Sequence, residues 1–385
     1  MAARERRLRA KVMTLLASEG FTVSEDRLVE ERCYEKDEVR RAHSVSRQER
    51  LLSERPFVEE WLPRLSKYFA SGRDVDPAAV DPVPLLVQDD EMAALFRVAS
   101  LYWSIPPSHG YGRRFRIVVL DRSNGKLIGL LGLTDPVFNL RVRDAWVGWG
   151  VREREMRLTH VMDAHVLGAV PPYNQLLGAK LVALIAVSDF MRALFRKRYR
   201  GGQSVIRKRH FDGRLAAITV TSALGRSSIY NRLKFDGVTV YEPVGFTEGY
   251  GHFHVANGTY ASLRKYLALV GDDEARRFKW GQGPNYRMRV VRHALEHLGL
   301  PPDLLKHGIR RGVYVAPLAK NSAAFLRGDA SRLRWHSRPL ADVIESWRER
   351  WLLPRAERDA SYRSFDAATW CDIVRPAEKK RDRTE

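Results

Sequence analysis

Cysteine is nearly missing from this sequence: Cys33 and Cys371, at opposite ends of 385 residues, are the whole supply. That excludes a disulfide scaffold and a cysteine-based zinc site, and fits a reducing compartment. Long apolar runs are missing too. Nothing approaches the roughly 18 residues of a membrane span, and the chain opens on Arg4, Arg6, Arg7, Arg9 and Lys11 where a secretory signal would place its apolar stretch. A soluble protein of the cytoplasm, with no membrane contact, is the expectation. Internal repeats are absent as well.

What is present is positive charge. Sixty-six Lys and Arg against 46 acids leave a formal charge of +20. An excess of that size raises affinity for polyanions and speeds encounters with them. With 44% apolar and 10% aromatic residues, nine of them Trp, the chain also has the material for a packed core, so it reads as a folded protein of one main domain with additions or of two to three modules.

Periodicity predicts helices in the first 85 residues, through Leu8, Val12, Leu15 and Leu16 and again from Leu51 to Phe69, the second broken by Pro56 and Pro63. Asp74 to Pro84, with three prolines, reads as a linker. Asp89 and Asp90 cap a helix carrying Leu95 and Phe96. Asn124-Gly125 between the apolar runs 115–120 and 127–133 predicts a hairpin, because both turn residues tolerate positive φ. A short strand is expected over 145–149, a long buried helix over 174–199, a strand over 215–221, a helix over 227–235 and strands near 238–245 and 252–255. The predicted class is therefore mixed α/β (α+β). Four parts are expected: a helical segment 1–85, an α/β core 86–260, a basic α/β extension 261–375 and a disordered tail 376–385.

Between Arg192 and Arg214 stand nine Lys or Arg and one acid, interleaved with Phe195, Tyr199 and Phe211. Cations that neutralise phosphates beside rings that stack on bases are what nucleic-acid binding needs. Arg196, Lys197, Arg198, Arg207, Lys208 and Arg209 are the phosphate contacts expected there, with Arg287 and Arg289 from a second basic and aromatic cluster. Asp135, Asp144 and Asp163 are candidate carboxylates for Mg²⁺ or for acid–base work. His252 and His254 lack a visible third ligand, so no metal site is assigned. Gln175, Gly178 and Lys180 open the helix at 174, where free N–H groups and a glycine suit a phosphate or pyrophosphate.

Several runs together resemble a known family: GKLIGLLGLTDP (125–136), RDAWVGW (143–149), VMDAHVLGAVPPYN (161–174), SALGRSSIYNRL (222–233) and GFTEGYGHFH (245–254). They are similar to the DruA family of Druantia anti-phage systems, over about residues 90 to 330. The resemblance implies a part in defence against phage beside other proteins of that system, and supplies no reaction. Members also occur near transposable elements, which keeps a transposon-associated DNA-binding role open.

The same region resembles the GNAT acetyltransferase fold. Gly129 to Leu133 looks like its central strands, Gln175 to Gly178 falls where its acetyl-CoA loop begins, and Tyr230 or the run Tyr241 to Phe246 resembles its tyrosine-bearing segment. This implies a GNAT-like mixed sheet, with acetyl-CoA at Gln175, Gly178 and Lys180 and with Tyr230 or Tyr241 as general acid. Lys180 departs from the family, which places Gly or Ala there. The expectation is a nucleic-acid-binding protein, DNA before RNA. The alternatives are an acyl-CoA-dependent transferase and an Mg²⁺-dependent nuclease on the same scaffold.

Overall fold

The computed structural model describes residues 2–18, 23–24, 27–28, 35–108, 110–204, 210–251, 255, 257–271 and 286–374. Its centre is a seven-stranded sheet: β3 (Pro82–Leu86), β4 (Arg114–Asp121), β5 (Lys126–Thr134), β6 (Val161–Ala169), β7 (Ala217–Thr221), β10 (Glu242–Phe246) and β11 (Gly312–Pro317). Two-residue pairs β1 (Val23–Ser24) with β2 (Arg27–Leu28), and β8 (Lys234–Phe235) with β9 (Val238–Thr239), lie outside it. The order across the sheet is β10-β11-β7-β6-β5-β4-β3. Every neighbouring pair is antiparallel except β6 with β7.

The β4–β5 hairpin forms where the Asn-Gly turn requires it, with Gly125 at φ +72°. On β4, Phe115, Ile117 and Val119 bury into one face of the sheet and Val118 into the other, the alternation a two-sided strand imposes. The first face is covered by α7 (Gly178–Ala186), α8 (Asp189–Tyr199) and α12 (Leu340–Trp347), the second by α3 (Ser44–Leu65), α4 (Asp90–Ala99) and α14 (Thr369–Val374). A separate helical core joins α1 (Ala2–Ser18), the end of α2 (Lys36–Ala42), α9 (Asn257–Val270) and α10 (Tyr286–His297). Among the described residues no helix is long and apolar enough to cross a membrane.

Five local expectations give way to tertiary context. The stretch 74–84 ends in a strand: Pro82 and Pro84 stand in β3, at the sheet edge, where a missing N–H costs no ladder bond. Pro56 and Pro63 lie inside α3, which packing of Leu51, Val58, Leu62 and Leu65 holds together despite them. Residues 141–147 form α5 (Arg141–Val147), closed by Gly148 at φ +73°, in place of a strand. The long helix is two, parted at Ser188, whose Oγ donates to the Ile185 carbonyl while the Asp189 N–H donates to that of Arg338. Residues 228–232 are turns in place of a helix, with β8 following. The sheet also crosses the part boundaries read from composition, since β3 runs across the one at 85 and β11 inserts between β10 and β7 from beyond 260. The predicted tail and residues 252–254 lie outside the described residues.

Candidate nucleic-acid interface

The parallel pair is where the sheet opens. β6 and β7 are in register only from Val161 with Ala217 to Ala164 with Val220. On its other side β6 steps from Ala164 opposite Leu133 to Val166 opposite Gly132, leaving His165 as an extra, bulged residue. A bulge bends a strand and ends its pairing, and here β6 leaves β7 at that residue. The wedge holds a cavity of about 390 Å³, bordered by Trp103, Asp163, His165, Ser222, Tyr230 and the more deeply placed Arg311 and, at its mouth, by the exposed Lys36, Arg40 and Arg226. A second cavity of about 860 Å³ continues toward the start of α7, past Arg47, Asn174, Ala179 and Lys180, and shares Arg40, Trp103, Leu224 and Ser228 with the first. Six cations thus face these cavities, and Asp163 is the one carboxylate among the described residues that does.

Asp163 accepts a 2.6 Å hydrogen bond from the Thr219 hydroxyl. Burial pushes its carboxyl up to about 6, against the opposing pull of the Thr219 bond and the Arg143 guanidinium. Tyr230 is buried at the same floor. Its hydroxyl is pushed well up by burial, with Tyr314 and Asp163 adding to the effect. Tyr241 is elsewhere: its ring packs 5.0 Å from that of Tyr230, but its hydroxyl donates to the Ala183 carbonyl, and burial raises it far above the usual tyrosine range. The other two candidate carboxylates serve the framework. Asp135 takes the Arg113 Nε at 2.7 Å and the Arg113 N–H at 2.9 Å. Asp144 holds Arg143, Arg154 and the Trp149 indole N–H. Arg143, itself buried, also donates to the carbonyls of Val137 and Phe138. Among the described residues no group of three or more His, Cys, Asp or Glu gathers as a metal site would.

The start of α7 is engaged by the chain itself. The N–H groups of Gln175, Leu176, Gly178 and Lys180 bond to the carbonyls of Pro172, Tyr173, Tyr173 and Leu177. Arg355 donates to the Gln175 carbonyl, the Trp347 indole to that of Leu177, and the Lys180 ammonium lies 5.4 Å from the Trp351 ring centre. Burial, then Arg350, pulls the Lys180 ammonium down. Gly178 is needed for packing, since a Cβ there would come within 2.8 Å of the Tyr173 carbonyl oxygen. Few N–H groups remain for a pyrophosphate, so the loop fits acetyl-CoA poorly at that position.

On the outer surface, Arg196, Lys197 and Arg198 are exposed at the last turn of α8, and none pairs with an acid among the described residues. Sequence reasoning missed their neighbours on β4. Arg114 and Arg116 are exposed beside them, and the Arg116 guanidinium is pulled down by burial and by the charges of Arg114 and Arg198. The aromatic residues of the segment are structural: Phe195, Tyr199 and Phe211 surround the Arg113 guanidinium at 4.8 to 5.4 Å. Arg207, Lys208 and Arg209 lie outside the described residues. Arg287 stacks 4.3 Å over Tyr260 in the helical core, and Arg289 is exposed on α10.

A family model described as Druantia protein DruA matches residues 34–328. The chain belongs to the DruA family. The Druantia protein DruA of Escherichia coli (strain UMEA 4076-1) is 42% identical over 373 residues, covering 96% of this chain and 92% of that one. No solved structure matches. The part shared with the DruA model contains all the residues that border the two cavities and the basic end of α8, while α12 and the segment that covers the start of α7 follow it.

Proposed function

We propose that this protein is the nucleic-acid-binding component of a Druantia anti-phage system, acting in the cytoplasm with other proteins of that system, on DNA before RNA. Membership in the DruA family supplies the defence setting. The observation that carries the binding reading is the exposed cationic patch of Arg196, Lys197, Arg198, Arg114 and Arg116, which no acid among the described residues neutralises. Such a patch meets backbone phosphates and releases their counterions, which gives affinity without sequence preference. The test is the triple reversal Arg196→Glu, Lys197→Glu, Arg198→Glu. Losing three phosphate contacts should weaken binding to every duplex sequence alike and flatten the logarithmic salt slope by about 3. Unchanged binding removes the patch from the account.

The divergence of β6 from β7 favours a second reading, an enzyme on a GNAT-like scaffold with Asp163 and Tyr230 at the reacting centre. An acyl-CoA-dependent transferase should gain about 2.7 kcal/mol of stability from acetyl-CoA at a hundredfold excess over its dissociation constant. No gain leaves the binding reading alone.

A further inference from the structure

We infer that the wedge between β6 and β7 takes one unstacked nucleotide of a bound strand: its phosphate on the cationic mouth, its base against Trp103, and an exocyclic amine on the Asp163 carboxylate. The inference rests on the nucleic-acid reading above and goes further, because a phosphate patch needs no cavity. The cavity's 390 Å³ falls in the range of sites that enclose a small ligand. Three of its four cations, Lys36, Arg40 and Arg226, are exposed at the entrance, and only Arg311 lies deeper. A charged phosphate therefore stays near water while the base goes inward.

The inner wall is aromatic. The Trp103 indole lies against the backbone of β6 at Gly168, where a Cβ would come within 2.9 Å of its Cζ2, so the absent side chain is what lets the ring occupy that place. It borders both cavities, and aromatic faces hold unstacked bases whatever their sequence. The floor adds selectivity. Among the described residues Asp163 is in no ion pair, since Arg143, the cation nearest in effect, is committed to Asp144 and to two carbonyls. The groups facing Asp163 are the Thr219 hydroxyl, the Tyr111 and Tyr230 hydroxyls and Arg143, with His165 two residues along β6. An ionised carboxylate accepts hydrogen bonds only, so it favours the N4 amine of cytosine or the N6 amine of adenine over the carbonyl that thymine presents there.

The experiment measures binding of fluorescent single-stranded (dC) and (dT) oligomers by anisotropy at pH 7.5, with duplex DNA in parallel, for the wild-type protein and the variants Trp103→Ala, Asp163→Asn and Arg226→Glu. The wild type should prefer (dC). Trp103→Ala should weaken both single strands about tenfold and leave duplex binding in place. Asp163→Asn should erase the preference for (dC) with its melting transition retained, and Arg226→Glu should weaken both strands while keeping it. Equal affinity for (dC) and (dT) in the wild type, or Trp103→Ala and Asp163→Asn binding as the wild type does, overturns the inference while duplex binding still stands. Loss of the Trp103-dependent binding on adding free coenzyme A also overturns it, assigning the wedge to a free nucleotide cofactor. Failure to bind any nucleic acid overturns the proposed function itself, an outcome distinct from these.

Discussion

Asp163→Asn should make the protein more stable at neutral pH than the wild type, because the native carboxylate ionises at a cost. Its carboxyl sits at about 6 in the folded protein against 3.8 for an ordinary aspartate. Two units at 1.36 kcal/mol each come to about 3 kcal/mol. The sign follows from the raised value. Folding favours the protonated form, so this stabilisation is fully present below the unfolded value near 3.8 and is lost as pH rises through 6. Asparagine carries no charge and keeps an oxygen that can accept the Thr219 hydroxyl, so it removes the pH term and spares the packing. Urea unfolding of both proteins at pH 4.5 and 7.5 is the assay. The difference between variant and wild type should shift in the variant's favour by about 2 kcal/mol across that interval. A difference that is the same at both pH values, or that moves toward the wild type, refutes the reasoning.

Arg143→Met removes the guanidinium that ties Asp144 to the carbonyls of Val137 and Phe138, and should destabilise by about 3 to 5 kcal/mol in thermal melts; adding Asp144→Asn should restore part of that. Trp347→Ala empties a fully buried site and frees the Leu177 carbonyl, at a cost of about 3 to 5 kcal/mol read by chemical denaturation. Gly168→Val drives a side chain toward the Trp103 ring and should lower single-strand affinity by anisotropy while duplex binding persists.

The legible parts of the fold are those where a local rule and the tertiary answer agree. The Asn124-Gly125 hairpin is one, since the turn alone requires the positive φ that the backbone adopts. The apolar faces of α1 and α4 are others, because each buries one stripe. β6, the strand on which the site depends, is not among the elements that pattern predicts. Asp163 and His165 deny it a continuous apolar stretch; Met162 to Val166 do alternate apolar with polar, but the run is only five residues and the bulge at His165 moves the buried set from one face of the sheet to the other. The residues of α5 mislead in the opposite direction: Trp146 and Val147 are strand formers, held helical by the Asp144 ion pairs and the Gly148 cap. Of the three carboxylates proposed for chemistry, sequence could not distinguish Asp163 in the wedge from Asp135 and Asp144 in the framework, because the arginines that separate them act through space. Trp103, Lys36, Arg40 and Arg226 come from segments far apart in the chain, and only the spatial meeting of β6, β7 and the loops around them makes one cleft.

The central claim is that the cationic surface binds nucleic acid, and the most direct measurement is the affinity of the purified protein for labelled duplex DNA, single-stranded DNA and RNA across a salt series with Mg²⁺ present. Binding below micromolar that falls steeply with salt, with a logarithmic slope of roughly −5 for duplex if about six phosphates are met and no strand cleavage on a denaturing gel, is the predicted result. No binding at physiological salt to any of the three would contradict it.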